Sequence, residues 1–218
     1  MTLRPALSAV AAGVLVIATV VPAVATDARD SADTLMLTPF QQEGPFYPVE
    51  LPADRDSDLT LVEGMPALAA GETLLIDGQL VTPDGTPVEG AVVEIWQTDD
   101  RGVYLHPQDP GIADRDLAFQ GYGESVTDEA GSWTFRTILP ELYGGRPRHI
   151  HAKVRVDGET VLTTQIYFSG GDIPSEGAVP ATDAVTDALT VEALAAVDAE
   201  GEPALRAWHL LVIPEPGG

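Results

Sequence analysis

Alternation of apolar and polar positions is the dominant pattern from residue 73 onward. Residues 74–81 (Leu-Leu-Ile-Asp-Gly-Gln-Leu-Val) and 91–97 (Ala-Val-Val-Glu-Ile-Trp-Gln) flank the turn sequence Pro83-Asp84-Gly85-Thr86-Pro87, which predicts a hairpin or a closely related β-turn-β pair. Further strands are predicted over 132–138, 149–156, 161–168 and 205–213, with Asp157-Gly158 as a tight turn between the second and third of these. Residues 190–197 fit one short helix. Residues 98–120, rich in Gly, Pro and Asp, read as a long loop, and a loop of that length in a compact domain is usually functional. Short strands with turn signals and little helix predict an all-β fold, an antiparallel β-sandwich.

The first 25 residues have a different character. Arg4 is their only charge, an apolar run follows from Ala6 to about Val21, and Ala23-Val24-Ala25 supplies small residues. This predicts a signal peptide over 1–25, cleaved after Ala25, and export to the periplasm or beyond the cell. The run is short for a membrane span and breaks at Pro22. No twin arginine and no cysteine stand near the cleavage point, which favours the general secretory route over folded export or a lipid anchor. Residues 26–42 are polar and acidic and read as an N-terminal arm. The domain proper is expected over 43–218, beginning with Glu43-Gly44-Pro45-Phe46-Tyr47-Pro48, an extended segment fixed by its prolines.

Charge and composition narrow the function classes. The formal net charge is −23, with 11 basic against 34 acidic residues, so nucleic acid and anionic membrane are poor partners. The chain contains no cysteine, which excludes thiolate metal sites and thiol nucleophiles. Lys153 is the sole lysine. Arg146, Arg148 and Arg155 form the local cation cluster that an anionic substrate would need.

The chemistry concentrates at His149-Ile150-His151. A strand sends alternate side chains to one face, so both imidazoles point the same way, and imidazole is the commonest metal ligand. Tyr143 lies just upstream and Tyr104 in the long loop. Together these four make a candidate site with two oxygen and two nitrogen donors. Ionising a phenol of pKa about 10 at neutral pH costs about 4 kcal/mol, which a hard, highly charged ion such as ferric iron can offset. Zinc or copper would use the imidazoles without needing the tyrosines. Taken singly, each residue has a plainer reading: Tyr104 as surface packing, Tyr143 as a turn residue, the histidines as strand polars, Arg146 as the partner of a surface acid, Gln165 as a satisfied core amide. Tyr122, Tyr167, His106 and His209 read as packing or structural residues, and Trp96, Trp133 and Phe135 as core.

Several stretches jointly resemble the intradiol ring-cleavage dioxygenases, of the protocatechuate 3,4-dioxygenase type. They are Glu43 to Tyr47, Pro87-Val88-Glu89-Gly90-Ala91, Glu94-Ile95-Trp96-Gln97, Gly102-Val103-Tyr104, Phe119 to Gly123, Arg146-Pro147-x-His149-Ile150-His151, and Thr164 to Phe168. The resemblance runs from about Glu43 to Gly171. It implies a non-haem ferric ion held by Tyr104, Tyr143, His149 and His151, a catechol-type substrate such as protocatechuate, dioxygen as co-substrate, and a cis,cis-muconate-type product. Tyr143 is implied to be the ligand that yields to substrate and takes a proton, Arg146 to steady charge on the ring, and Gln165 to stand near the oxygen pocket. A homo-oligomer is also implied. The chain departs from the pattern in having only Gly144-Gly145 between Tyr143 and Arg146, Glu124 where an arginine is common, and no helical dimerisation domain, so it is closest to a secreted short form. Two rival readings are a non-catalytic ligand-binding sandwich that retains the motif, and a zinc or copper enzyme using the histidines alone.

Overall fold

The computed structural model describes residues 34–170 and 182–217. The expected signal peptide, its cleavage point and the start of the arm lie outside the described residues. Among the described residues nine strands form two sheets, accompanied by one α-helix. The four-stranded sheet has the order β4 (Ser132–Ile138), β1 (Thr73–Val81), β9 (Pro203–Val212), β8 (Leu194–Val197). The five-stranded sheet has the order β3 (Tyr122–Val126), β2 (Val92–Trp96), β5 (His149–Val156), β6 (Glu159–Phe168), β7 (Thr190–Val191). Pairing is antiparallel except between β1 and β9 and between β6 and β7. The expected sandwich is therefore present. Among the described residues no helix is long and apolar enough to cross a membrane.

Period-two patterning explains the core. Leu74, Ile76 and Leu80 from one sheet meet Val93, Ile95, Ile150, Ala152, Val154 and Ile166 from the other in one buried cluster with Phe135, Ile138 and Leu211. Because those residues point inward, the intervening ones on β5 (His149, His151, Lys153, Arg155) share the outer face of the five-stranded sheet. They are nonetheless mostly buried, since the arm and two loops cover that face.

Two local expectations fail. β1 and β2 do not pair: after a single bridge, Val81 to Pro87, the chain crosses to the other sheet. Pro87 has no N–H to continue a ladder, so the turn closed by Gly85 N donating to Thr82 O leads between sheets. The helix expected over 190–197 is instead β7 and β8. The α-helix precedes them as α1 (Asp183–Leu189), started by Thr182, whose hydroxyl accepts from Val185 N at 3.3 Å. From residue 34 the arm ties both sheets: Thr38 N donates to Val212 O and Gln41 N to Thr163 O.

His209 is structural, as expected, and carries a testable cost. It lies on β9 between the inward residues Ala207 and Leu211, is 4% exposed, and its Nε2 has no hydrogen-bond partner. Burial lowers its pKa to about 4. An unfolded chain, with histidine near 6.5, binds a proton that the folded state refuses between those two values. Stability is thus fully present above about pH 6.5 and falls as pH drops toward 4, by about 3 kcal/mol in all. Urea unfolding of His209→Gln at pH 7 and pH 4.5 should show a shallower acid loss than the parent; equal losses would mean that His209 does not set it.

Candidate metal centre and active site

The four candidate donors come from three segments and meet on the outer face of the five-stranded sheet. His149 and His151 are placed by β5, with ring centroids 4.8 Å apart. Cross-strand register sets their neighbours: Trp96 on β2 and Gln165 on β6 flank His151, and Tyr167 pairs with His149. The Trp96 ring stacks on His151 at 4.8 Å and 11°, which fixes the imidazole plane.

Tyr104 is delivered by the loop after β2. Asp99 Oδ1 accepts the Arg101 and Val103 amides, and Asp109 Oδ2 accepts the Tyr104 amide at 3.0 Å. Gly102, at φ 76, is pressed so close to the Leu142 carbonyl that a Cβ would stand 2.6 Å from its oxygen. Only glycine fits there, and the contact joins the Tyr104 loop to the residue beside Tyr143. Tyr143 and Arg146 then bracket a tight turn of Gly144-Gly145, both at positive φ, closed by Arg146 N donating to Tyr143 O at 2.9 Å.

Tyr104 lies against each of the other three donors. The His149 Nδ1–H donates to Pro147 O at 2.8 Å, which leaves Nε2 as the acceptor of the Tyr104 hydroxyl at 3.1 Å. Tyr104 meets Tyr143 edge-on at 5.3 Å and His151 at 5.9 Å. The expected four thus converge. Burial pushes the pKa of the Tyr104 phenol up; burial lowers that of His149 to about 4 and that of His151 well below its usual value. At neutral pH the imidazoles are neutral, with a lone pair to give, and the phenol keeps its proton until a strong cation replaces it. The His151 Nδ1 is buried without a hydrogen-bond partner. Among the described residues no group of three or more His, Asp or Glu side chains is placed to hold a metal; beside the two imidazoles stand the phenol oxygens.

Arg146 reaches the site from the glycine turn. Its guanidinium donates to Gln165 Oε1 at 3.0 Å and to Tyr167 Oη at 3.3 Å, while Gln165 Nε2 donates to Gln42 O at 2.8 Å. Of the three arginines expected to serve a substrate, two are engaged by acids. Arg148 forks onto Glu141, and Arg155 pairs with Glu94 and Glu124; the acidic composition supplies nearer partners than any substrate.

Sequence reasoning missed the supports. Tyr167, expected to pack only, also donates to Gln165 Oε1 at 2.9 Å behind His149. Trp96, expected in the main core, walls the site. Phe46 stacks on Tyr104 at 5.0 Å and meets Tyr143 edge-on at 5.2 Å. Tyr47 donates to Glu94 at 2.7 Å, and Lys153 lies 3.6 Å over its ring while pairing with Glu43 at 2.7 Å. The proline-bracketed aromatic pair at 46–47 was the available signal. His106 contacts Phe46 at 5.5 Å and accepts the Gln108 amide, a structural role as expected.

Comparison with known proteins finds similarity to dioxygenases. The profile of a dioxygenase family matches residues 42–146. The chain is 33% identical over 206 residues to a catechol 1,2-dioxygenase of Acinetobacter baylyi, covering 80% of this chain and 62% of that one. It is 34% identical over 137 residues to a protocatechuate 3,4-dioxygenase beta chain of Burkholderia cepacia, covering 59% and 58%. It therefore spans about three fifths of these relatives' length. Among solved structures, the dioxygenase domain of a dioxygenase–carbohydrate-binding protein fusion from Streptomyces sp. SirexAA-E superposes with TM-score 0.58 at 29% identity, over 82% of this chain and 99% of that one. Catechol 1,2-dioxygenase from Acinetobacter sp. ADP1 superposes with TM-score 0.60 at 28% identity, over 81% and 62%. With relatives on both the protocatechuate and the catechol side, and a sandwich that carries the expected tyrosines and histidines on one face, the chain is similar to the intradiol ring-cleavage dioxygenases.

Proposed function

We propose that the protein is an exported ferric dioxygenase that opens a catechol-type ring between its two hydroxyl-bearing carbons, giving a cis,cis-muconate-type product that retains both atoms of dioxygen. The observation that carries this reading is that Tyr104 lies against Tyr143, His149 and His151 while the two imidazoles lie against each other, which gathers two phenols and two neutral imidazoles. These four residues would hold the ion, and the donor set fits it: a buried imidazole nitrogen without a partner and a phenol that burial keeps protonated both gain from a trivalent cation. When bound, ferric iron supplies a Lewis acid that gathers the two oxygens of a catechol and readies its ring for dioxygen.

The chain's own residues divide the remaining work. Tyr104, 2% exposed and anchored through Asp109, is the fixed phenol. Tyr143 is half-buried beside two glycines, so its oxygen is the one placed to swing aside and accept a substrate hydroxyl proton. Arg146, held by Gln165 and Tyr167, puts a fixed cation where negative charge develops on the ring. The Phe46 and Trp96 rings exclude water from the histidine side.

A visible spectrum during anaerobic titration with catechols tests the reading. Iron-loaded protein should be coloured by the phenolates, and the band should shift as catechol is added. Tyr143→Phe should keep its iron, change the band and lose roughly 10²-fold or more in turnover. A colourless, iron-free protein purified without chelators would end the proposal. The relatives named above support catechols as the class, and protocatechuate is the narrower reading. Oxygen uptake with catechol or hydroxyquinol but none with protocatechuate would overturn that part alone. Export rests on the first 25 residues, and a secreted protein starting elsewhere than Thr26 would displace the assigned cleavage point.

A further inference from the structure

On the other side of the sandwich, the outer face of the four-stranded sheet carries one aromatic platform. Register places Thr134 on β4, Asp77 on β1 and Trp208 on β9 in a single row across three neighbouring strands. All three point outward, because their neighbours Phe135, Ile76 and Ala207 are in the core. Trp208 is 57% exposed, whereas the other two tryptophans, Trp96 and Trp133, are at 1% and 2%. Beside its indole lies an open cleft of about 400 Å³ lined by Asp77, Ser125, Asp128, Ser132, Thr134 and Trp208, among others.

The surroundings of this indole select its occupant. Apart from Trp208, Val126, Trp133 and Gly78 the cleft is lined by residues with hydroxyl and carboxylate groups, and several are already ordered: Thr134 Oγ1 donates to Asp77 Oδ1 at 2.7 Å, and Asp128 Oδ1 accepts the Ser132 amide at 2.8 Å. One exposed indole offers on the order of 150 Å² of apolar contact, far below the roughly 800 Å² per partner of a stable protein interface. A second copy of the chain is therefore a poor fit. Two carboxylates in the cleft and a net charge of −23 oppose an anionic ligand. The nearest guanidinium, Arg206, lies 3.6 Å from Asp77 Oδ2 and is engaged there. A neutral molecule with one flat C–H face and a rim of hydroxyls matches both the indole and the hydroxyl groups beside it.

We propose that this face binds a neutral polysaccharide, with a β-linked pyranose stacked on Trp208 and its hydroxyls bonded to Asp77, Thr134 and Ser132. Equatorial hydroxyls leave axial C–H bonds exposed on each face of such a ring, and one of these faces can lie against the electron-rich face of the indole. The surface is independent of the metal centre, so it would hold the enzyme on a glycan without involving the ring-cleavage chemistry.

The test is affinity electrophoresis of the whole protein through native gels containing hydroxyethylcellulose or xylan, with carboxymethylcellulose as the anionic counterpart. Retardation is expected in at least one neutral gel, weaker in the anionic one. Trp208→Ala should lower the association constant by about tenfold or more, with catechol oxidation unchanged, and Trp208→Phe should fall between. Addition of the retarding glycan should also shift the emission of the parent protein and not that of Trp208→Ala. Migration unaltered by both neutral glycans, or retardation that survives Trp208→Ala, overturns the proposal. So does concentration-dependent self-association that Trp208→Ala abolishes, which would make the indole a contact between copies.

Discussion

Replacing His151 with alanine should abolish iron binding and ring cleavage together, by at least roughly 10³-fold in turnover. Loss of a residue that merely orients a metal ligand typically costs 10- to 100-fold, and His151 is proposed as a ligand itself. Its ring is 3% exposed, stacked on Trp96 and edge-on to His149, so no other side chain can take its place. Removing it leaves three donors and a hole beside Trp96. The measurements are iron per chain, the visible band and thermal unfolding. His209→Gln, which lies outside the site, serves as the control and should keep both iron and colour. His151→Ala that retains stoichiometric iron and near-parental oxygen uptake would remove this face of the sheet from the chemistry. Loss of activity with iron and colour intact would instead assign His151 a role other than ligand.

Much of this architecture was legible in the residues, and the failures have physical causes. β4 and β5 were read with the bounds they have, because each alternates cleanly, and Asp157-Gly158 marked the turn after β5. β3 was missed because Gly123 and Glu124 interrupt its apolar run; they are tolerated since Gly123 lies against the Asp56 backbone and Glu124 faces Arg55. The segment 190–197 is too short for its apolar spacing to tell a helix from a strand, and the true helix begins eight residues earlier at a threonine cap. In the site, the tyrosines and histidines declared themselves by chemical type. Trp96, Lys153 and Tyr167 did not, because their roles come from which residues lie opposite across β2, β5 and β6. That register is set by long-range pairing and leaves no mark in the local sequence. The three-arginine cluster failed for a related reason: proximity along the chain says nothing about which acid each guanidinium meets first.

Arg155→Leu should destabilise the folded protein by about 3 kcal/mol or more, the usual effect of leaving a buried charge without its partner. Glu94 is fully buried on the outer face of β2. Its Oε2 accepts from Tyr47 at 2.7 Å; its Oε1 lies 2.6 Å from Arg155 Nε but makes no well-angled hydrogen bond, so the charge of the guanidinium holds it. Tyr47 cannot compensate, because burial and the Glu94 carboxylate raise its pKa to about 12 and keep it a neutral donor. The damage should also reach the metal centre: Tyr47 meets Trp96 edge-on at 5.0 Å, and Trp96 carries His151. Denaturant unfolding of the metal-free protein isolates the stability change from any loss of iron. The double variant Arg155→Leu/Glu94→Leu should recover part of it, since it removes both charges and costs only the acceptor of the Tyr47 hydroxyl. A single variant within 1 kcal/mol of the parent would mean that solvent reaches Glu94, and the wall behind Trp96 would then be looser than its packing indicates.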